Sequence, residues 1–231
     1  MKILILNGSP HLDKGATGTI LNEFKKGLQI ENPEIITKNI YQLNVKPCKG
    51  CFTCWTQTPG KCTQKDDMED ILPLVAESDI LVIGTPLYVD GMTGPMKTFF
   101  DRIIPLGKGR VELRNNRMRH LLREKMKKKK FALVSPSGFA EIENFNSLIS
   151  HINAIASNFD SVYAGEVLAP SFWYYKYNEE SYRKIIETIV SAGEELVKNG
   201  SIPSHISQTL LANAPREIIM EVMNKHFGKF E

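Results

Sequence analysis

The chain has 231 residues, 29 Lys and Arg against 26 Asp and Glu, and is 42% hydrophobic, 24% charged and 9% aromatic. This profile suits one large globular domain, or one domain with an appendage, and excludes a disordered, collagenous or disulfide-dependent chain. The longest apolar runs, such as residues 2–6 and 80–84, fall far short of the ~18 residues that a membrane span needs. The opening MKILILNGSP is too short in apolar residues for a secretory h-region, so the expected location is cytoplasmic, with no membrane partner.

The net charge of +3 hides an asymmetry: residues 108–130 hold eleven Lys or Arg against Glu112 and Glu124. That segment carries +9, leaving about −6 elsewhere, which argues against a generally basic nucleic-acid binder. All four cysteines, Cys48, Cys51, Cys54 and Cys62, fall within fifteen residues. Such clustering reads as a local site, since a stapled secreted domain spreads its cysteines.

In chain order, strand-length apolar runs at 2–6, 35–43, 80–84, 131–134 and 163–168 alternate with segments of helical period. Ile20, Leu21, Phe24 and Leu28 mark the first helical face. A shorter helix is expected over 68–77, capped by Asp66 or Asp67, with Pro73 set to kink it or delay its start. Met96, Phe99, Phe100 and Ile103 mark the next, and Asp101 and Arg102 at its end read as an ion pair that fixes it. The basic segment before the fourth strand reads as an irregular insertion. Further helical faces follow from Phe145 to Phe159 and from Tyr182 to Val197. Continuous rather than alternating apolar strands predict a doubly wound α/β fold, with a five-stranded parallel sheet covered on both faces. The domain is expected over 1–202. Residues 203–231 form a C-terminal helical tail packed on the same domain or on a partner subunit.

Ligands of such sheets bind outside the carboxyl ends of the strands, so the loops there carry the functional reading. After the first strand comes NGSPHLDKGATGT, rich in Gly, Ser and Thr and opening a helix near Thr17. Backbone N–H groups at that helix start, with hydroxyls of Ser9, Thr17 and Thr19, suit a phosphate; a plain strand-to-helix turn is the alternative. Neither G-x-x-x-x-G-K-[ST] nor G-x-G-x-x-G is present, which disfavours a P-loop NTPase and a dinucleotide site and leaves a mononucleotide. The third strand leads into GTPLYVDGMTGPMKTFFDR and the fourth into SPSGFAE. Three such loops at one sheet edge outline a cleft with a phosphate end and a planar end, a description that fits flavin mononucleotide better than a sugar phosphate. The cysteine loop, C-x2-C-x2-C-x7-C, has the compact spacing of a cubane iron–sulfur site rather than the two knuckles of a zinc ribbon. Four reduced thiols in a packed loop, or an apolar lid made with Phe52, Trp55 and Pro59, are the alternatives.

Taken together, NGSP, the C-x-G-C-x-x-C-W run followed by PGKC and DDM, GTPLY through GPMKTFFDR, and SPSGF resemble the NADPH-dependent FMN reductase-like flavoproteins, in particular their iron–sulfur flavoprotein branch. The resemblance covers roughly residues 1–139 and implies a flavodoxin-like fold. It implies that Ser9, Thr17 and adjacent backbone, within the stretch His11, Ala16, Gly18 and Thr19, hold the FMN phosphate. Pro86, Leu87, Tyr88, Val89 and Gly91, joined by Ser135, Ser137 and Gly138, would line the isoalloxazine. His11 and Ala16 stand where the family commonly has Arg and Asn, which shifts the phosphate contacts toward backbone N–H groups. Relatives with a similar cysteine loop include both [4Fe–4S] proteins and plain flavin reductases, so Cys48, Cys51, Cys54 and Cys62 are metal ligands in one branch only.

The leading expectation is therefore an FMN-dependent oxidoreductase that accepts hydride from NAD(P)H and passes electrons to a small-molecule or protein acceptor. No side-chain acid or base is expected to be indispensable, and backbone N–H groups near Leu87 and Ser137 are expected to face negative charge on the reduced ring. The alternative is an electron-transfer protein with a [4Fe–4S] cluster. A third reading, a nucleic-acid-binding module using residues 108–130 and the aromatic run 172–177, lacks a recognisable motif. The apolar tail and that aromatic run predict a homodimer or higher homo-oligomer.

Overall fold

The computed structural model describes residues 1–211 and 215–230. Its elements run β1 (Lys2–Asn7), α1 (Ala16–Leu28), β2 (Glu34–Asn39), α2 (Met68–Glu77), β3 (Ile80–Gly84), α3 (Gly94–Asp101), β4 (Gly107–Arg114), β5 (Arg117–Leu122) and β6 (Lys130–Ser137). Then come α4 (Asn146–Asn158), β7 (Val162–Pro170), α5 (Phe172–Tyr175), α6 (Glu179–Lys198), α7 (Ser204–Leu211) and α8 (Arg216–Phe227). Five strands form one parallel sheet in the order β2-β1-β3-β6-β7, the flavodoxin-like doubly wound arrangement.

All five residues of β3 are buried, as expected of a strand covered on both faces. Alternation along the strands sorts their side chains into two cores. Leu4, Leu6, Leu81, Ile83 and Leu133 meet Phe99, Phe145, Leu148 and Ile152 on one side. Ile3, Ile5, Val82 and Val134 meet Phe24, Ile189 and Leu196 on the other. Each fully buried side chain of this size contributes about 1.5–3 kcal/mol. The second strand is shorter than its apolar run: it ends at Asn39 and turns through Ile40–Gln42, which tucks Ile40 into the core.

The basic segment differs from its expectation. It is no irregular insertion, because β4 and β5 pair as an antiparallel hairpin that reverses at Asn115 and Asn116, with φ of 50° and 59°. Consecutive left-handed residues make the tight turn whose twist suits a hairpin, and Asn tolerates that conformation. Several of the charges are locally spent: Lys108 pairs with Glu124, Arg114 with Glu112 and Lys128 with Asp160. Lys129 is buried, and its Nζ donates to the carbonyls of Val75 at 2.5 Å, Ser78 at 2.9 Å and Ala76 at 3.2 Å, closing the end of α2. Burial pushes that ammonium down to about 8.

The aromatic run 172–177 is also not the exposed patch it promised. Phe172 and Tyr175 lie in the core, whereas Tyr177 is 84% exposed. Of the tail, Ile206 and Leu210 enter the core on the α1 side. Helix α8 buries Ile219 and leaves Ile218, Met220 and Phe227 exposed. Residues 212–214 and 231 of the expected tail lie outside the described residues. Among the described residues no helix is long and apolar enough to cross a membrane.

Helix α1 is held close to α6 through glycines: a Cβ on Gly27 would run into the Val190 carbonyl oxygen, and one on Gly193 into that of Phe24. Since backbone cannot yield as a flexible side chain can, Gly27→Ala is expected to destabilise the fold by about 1–3 kcal/mol. Urea unfolding of parent and variant measures it, and an equal midpoint would contradict this packing.

Candidate functional site

Strand β1 ends at Asn7, level with Gly84 of β3, which is level with Val134 of β6. The three loops leaving these strands are stitched together by backbone. Gly8 N–H donates to Gly84 O at 2.7 Å and Thr85 N–H to Val134 O at 3.0 Å. Thr93 Oγ1 donates to Gly8 O at 3.0 Å, while Thr93 N–H donates to Thr85 Oγ1 at 3.2 Å.

In the first loop, Ser9 N–H donates to Asn7 Oδ1 at 3.0 Å and His11 N–H to Ser9 Oγ at 3.2 Å. Helix α1 then begins at Ala16 behind Gly15, with no side chain capping it. Its first-turn N–H groups lack intrahelical acceptors, which makes them anion donors. Thr17 and Gly18 are buried there, and a Cβ on Gly18 would run into the Leu12 carbonyl oxygen. His11 is exposed and Ala16 half-buried. The expected hydroxyl cradle is thinner than its sequence: Thr19 Oγ1 donates to Gly15 O at 3.1 Å within the helix, because a Thr in the first turn can reach the carbonyl four residues back.

In the second loop, Leu87 N–H donates to Pro136 O at 2.9 Å, so it is spent on joining two loops and does not face a ring as expected. Tyr88 and Gly91 exchange hydrogen bonds at 3.0 and 3.1 Å across Val89 and Asp90, both left-handed. This pinched turn leaves Tyr88 half-exposed and Val89 fully exposed beside Pro86. In the third loop, Ser137 Oγ donates to Phe139 O at 2.9 Å, and Gly138 O accepts from Trp173 Nε1 at 3.0 Å. Two buried polar atoms at this edge, Asn7 Nδ2 and Ser135 Oγ, have no partner among the described residues. Asn7 and Thr93 were not singled out from sequence as site residues, and Trp173 was read only as part of the aromatic run 172–177; Asn7 had a signal, as the polar residue that ends an apolar strand.

The cysteine loop connects β2 to α2. Cys54 is buried, Cys48 and Cys62 are half-buried and Cys51 is exposed, and all four line one cavity with Arg102, Ile104 and Pro105. Trp55 anchors the loop: its Nε1 donates to Ile104 O at 2.9 Å, and its ring stacks on Phe52 and packs against His120 of β5. Arg102, 1% exposed, binds Asp66 through Nη1 at 2.6 Å and Nη2 at 3.0 Å. Its Nη1 also reaches Lys46 O at 2.5 Å and its Nη2 reaches Cys62 Sγ at 3.4 Å. Two expectations are corrected here. Asp101 pairs with Lys97 and not with Arg102, since one helical turn separates those two on the same face. Asp66 and Asp67 are not simple caps: Asp67 accepts from Asn44 N–H, and Asp66 accepts from Lys46 N–H besides holding Arg102. Burial pushes the Cys54 thiol up, reinforced by Cys62, Cys51 and Cys48, whereas hydrogen bonds from the Thr53 hydroxyl and N–H lower Cys51.

The sequence signature of the NADPH-dependent FMN reductases matches residues 1–154. The chain belongs to that family. Relatives named iron–sulfur flavoproteins include one from Archaeoglobus fulgidus, 36% identical over 107 residues (46% of this chain and 47% of the relative). Another, from Methanocaldococcus jannaschii, is 32% identical over 115 residues (50% of this chain and 58% of the relative). This chain thus spans about half the length of the curated relatives it matches. The fold is shared with an FMN-dependent NADH-azoreductase from Bacillus anthracis at a TM-score of 0.63 and 16% identity, over 85% of this chain and 99% of that one. An NAD(P)H:quinone oxidoreductase from Methanothermobacter marburgensis matches at 0.59 and 14%, over 84% and 95%.

The residues present fit the cofactor of the FMN reductase family. The bare N-terminus of α1 offers donors to one terminal phosphate, and the orphaned Asn7 and Ser135 atoms lie where β1 and β6 end. The cysteine loop brings four thiols to the lining of one cavity, the donor type that an iron–sulfur cluster takes, and among the described residues no three His, Cys, Asp or Glu gather closely enough to hold a single metal ion.

The Asp66–Arg102 pair also contributes to acid stability. Burial works to raise the Asp66 carboxyl, but the Arg102 guanidinium and the N–H groups of Lys46 and Met68 outweigh it and hold the carboxyl below its usual value. A depressed carboxyl contributes stability above its unfolded value of about 4 and loses it as pH falls through the lower folded value. Asp66→Asn is therefore expected to cost about 3–5 kcal/mol near neutral pH, since Arg102 stays buried and unpaired, and less below pH 4. Thermal unfolding across that range measures both.

Proposed function

We propose that this member of the FMN reductase family is an FMN-dependent oxidoreductase that takes hydride from NAD(P)H and passes electrons to a small-molecule or protein acceptor. The observation that carries the reading is the edge where β1 and β3 end level with Val134 of β6, at which an uncapped helix start stands with two buried, unpartnered polar atoms. Bound FMN supplies hydride acceptance at N5 and the onward transfer of electrons. The chain's own part is to hold and orient. First-turn N–H groups of α1 and Thr17 bind the phosphate. Pro86, Leu87, Tyr88, Val89 and Gly91 line the ring with Ser135, Ser137 and Gly138. No side-chain acid or base is required. Cofactor extracted from the protein should run as FMN, and FAD alone would overturn the reading. Thr17→Asp puts a carboxylate against the phosphate and should weaken FMN at least tenfold in a fluorescence titration; unchanged affinity would remove Thr17 from the site.

A second reading, that Cys48, Cys51, Cys54 and Cys62 hold a [4Fe–4S] cluster which relays single electrons, is favoured by their convergence on one cavity. Anaerobic protein should then contain about four irons per chain, and Cys51→Ser should remove iron while FMN stays. Exposed Val111, Leu113 and Met118 on the hairpin and Ile218, Met220 and Phe227 on α8 support a homodimer or higher homo-oligomer. Light scattering that finds a flavin-loaded monomer would exclude it. The crowding of all four cysteines into fifteen residues, unlike the spread of a stapled secreted domain, supports a cytoplasmic setting.

A further inference from the structure

We infer that Arg102 is a positioning residue for the cysteine centre, which clamps the loop closed and sets the potential of the group it holds through a hydrogen bond to the Cys62 sulfur; this rests on the four-cysteine cluster reading. The guanidinium is buried and touches three separate parts of the chain. Its Nη1 holds Lys46 O, two residues before Cys48, its Nη2 reaches Cys62 Sγ at 3.4 Å, and both nitrogens grip the fully buried carboxylate of Asp66. The backbone two residues before the first cysteine, and the last cysteine itself, are thereby tied to one rigid planar group. Asp66 continues the clasp, accepting N–H groups of Lys46 and Met68 at the loop's two ends.

This arrangement explains two otherwise unrelated features. A seven-residue gap before Cys62 is a long excursion, and the bond from Arg102 brings its end back to the other three. A buried Arg at the end of α3, a helix of the flavin domain, also couples the cysteine loop to the element that follows the ring-lining turn. An N–H donor on a cysteine ligand favours the more negative, reduced state of a cluster and so raises its potential. Lysine keeps the charge but lacks the planar fork, so it cannot hold Asp66, Lys46 O and Cys62 Sγ together.

The test uses anaerobic, iron-loaded protein, with iron, sulfide and flavin content and the cluster's EPR-monitored midpoint potential as readouts. Arg102→Lys should retain FMN and incorporate iron, with a potential lower than that of the parent. At the parent's midpoint its ratio of reduced to oxidised cluster should fall about tenfold, equivalent to 59 mV for one electron. An iron-loaded variant with an unchanged potential overturns the proposal alone. A parent that takes up flavin but no iron overturns the cluster reading and the proposal with it. Should Arg102→Lys fail to fold, the parent itself decides. After labelling with 15N-arginine, its reduced cluster should show a nitrogen coupling in pulsed EPR, and a lack of any coupling overturns the assignment.

Discussion

Parallel strands cannot be joined by tight turns, and each crossover places a helix on one face of the sheet. With β1 seated between β2 and β3, the chain leaves in one direction toward β2 and in the other toward β3, β6 and β7. The crevice at the carboxyl ends follows from that reversal. The candidate cofactor edge hangs on it. The loops after β1, β3 and β6 meet because their strands are neighbours in register, and short backbone bonds such as Gly8 N–H to Gly84 O lock them there. Those bonds also consume donors, which is why the loops hold one another more than they hold open polar groups.

What remains free at that edge is consequently informative. Buried polar atoms are nearly always satisfied, and at this edge Asn7 Nδ2 and Ser135 Oγ are buried without partners among the described residues. The start of α1 is similar. Helices commonly begin with Ser, Thr, Asp or Asn bonding back to the first turn, whereas this one begins behind Gly15 and keeps its donors. Its position is set far away, where Gly27 and Gly193 let α1 and α6 approach closely.

The cysteine loop is governed by different physics. It contains little regular structure and few core residues, and is held by a buried ion pair, an indole hydrogen bond and ring stacking. A buried pair adds little net stability over apolar packing but is costly to break from one side, so it acts as a latch. The latch joins the loop to α3, and Trp55 joins it to the β4–β5 hairpin. The segment that looked like an insertion is therefore one wall supporting the cysteine site.

Apolar periodicity in the sequence was sufficient to determine five parallel strands, their intervening helices and the doubly wound class, because burial on both faces leaves continuous runs that few other folds need. The glycine-rich loops and the cysteine spacing were legible for the same reason: their chemistry is local. The Asn115–Asn116 pair is a turn signal that went unread, because the charges around it made the segment look like an irregular insertion. Tertiary structure alone decided which polar groups were already spent. Leu87 N–H and the Thr19 hydroxyl are adjacent to the site in sequence yet satisfied by neighbouring backbone. Arg102 likewise sits one residue from Asp101 yet pairs with Asp66, thirty-six positions away. Hydrogen bonding is a matter of distance and direction in space, and a linear sequence carries neither until the sheet has brought its loops together.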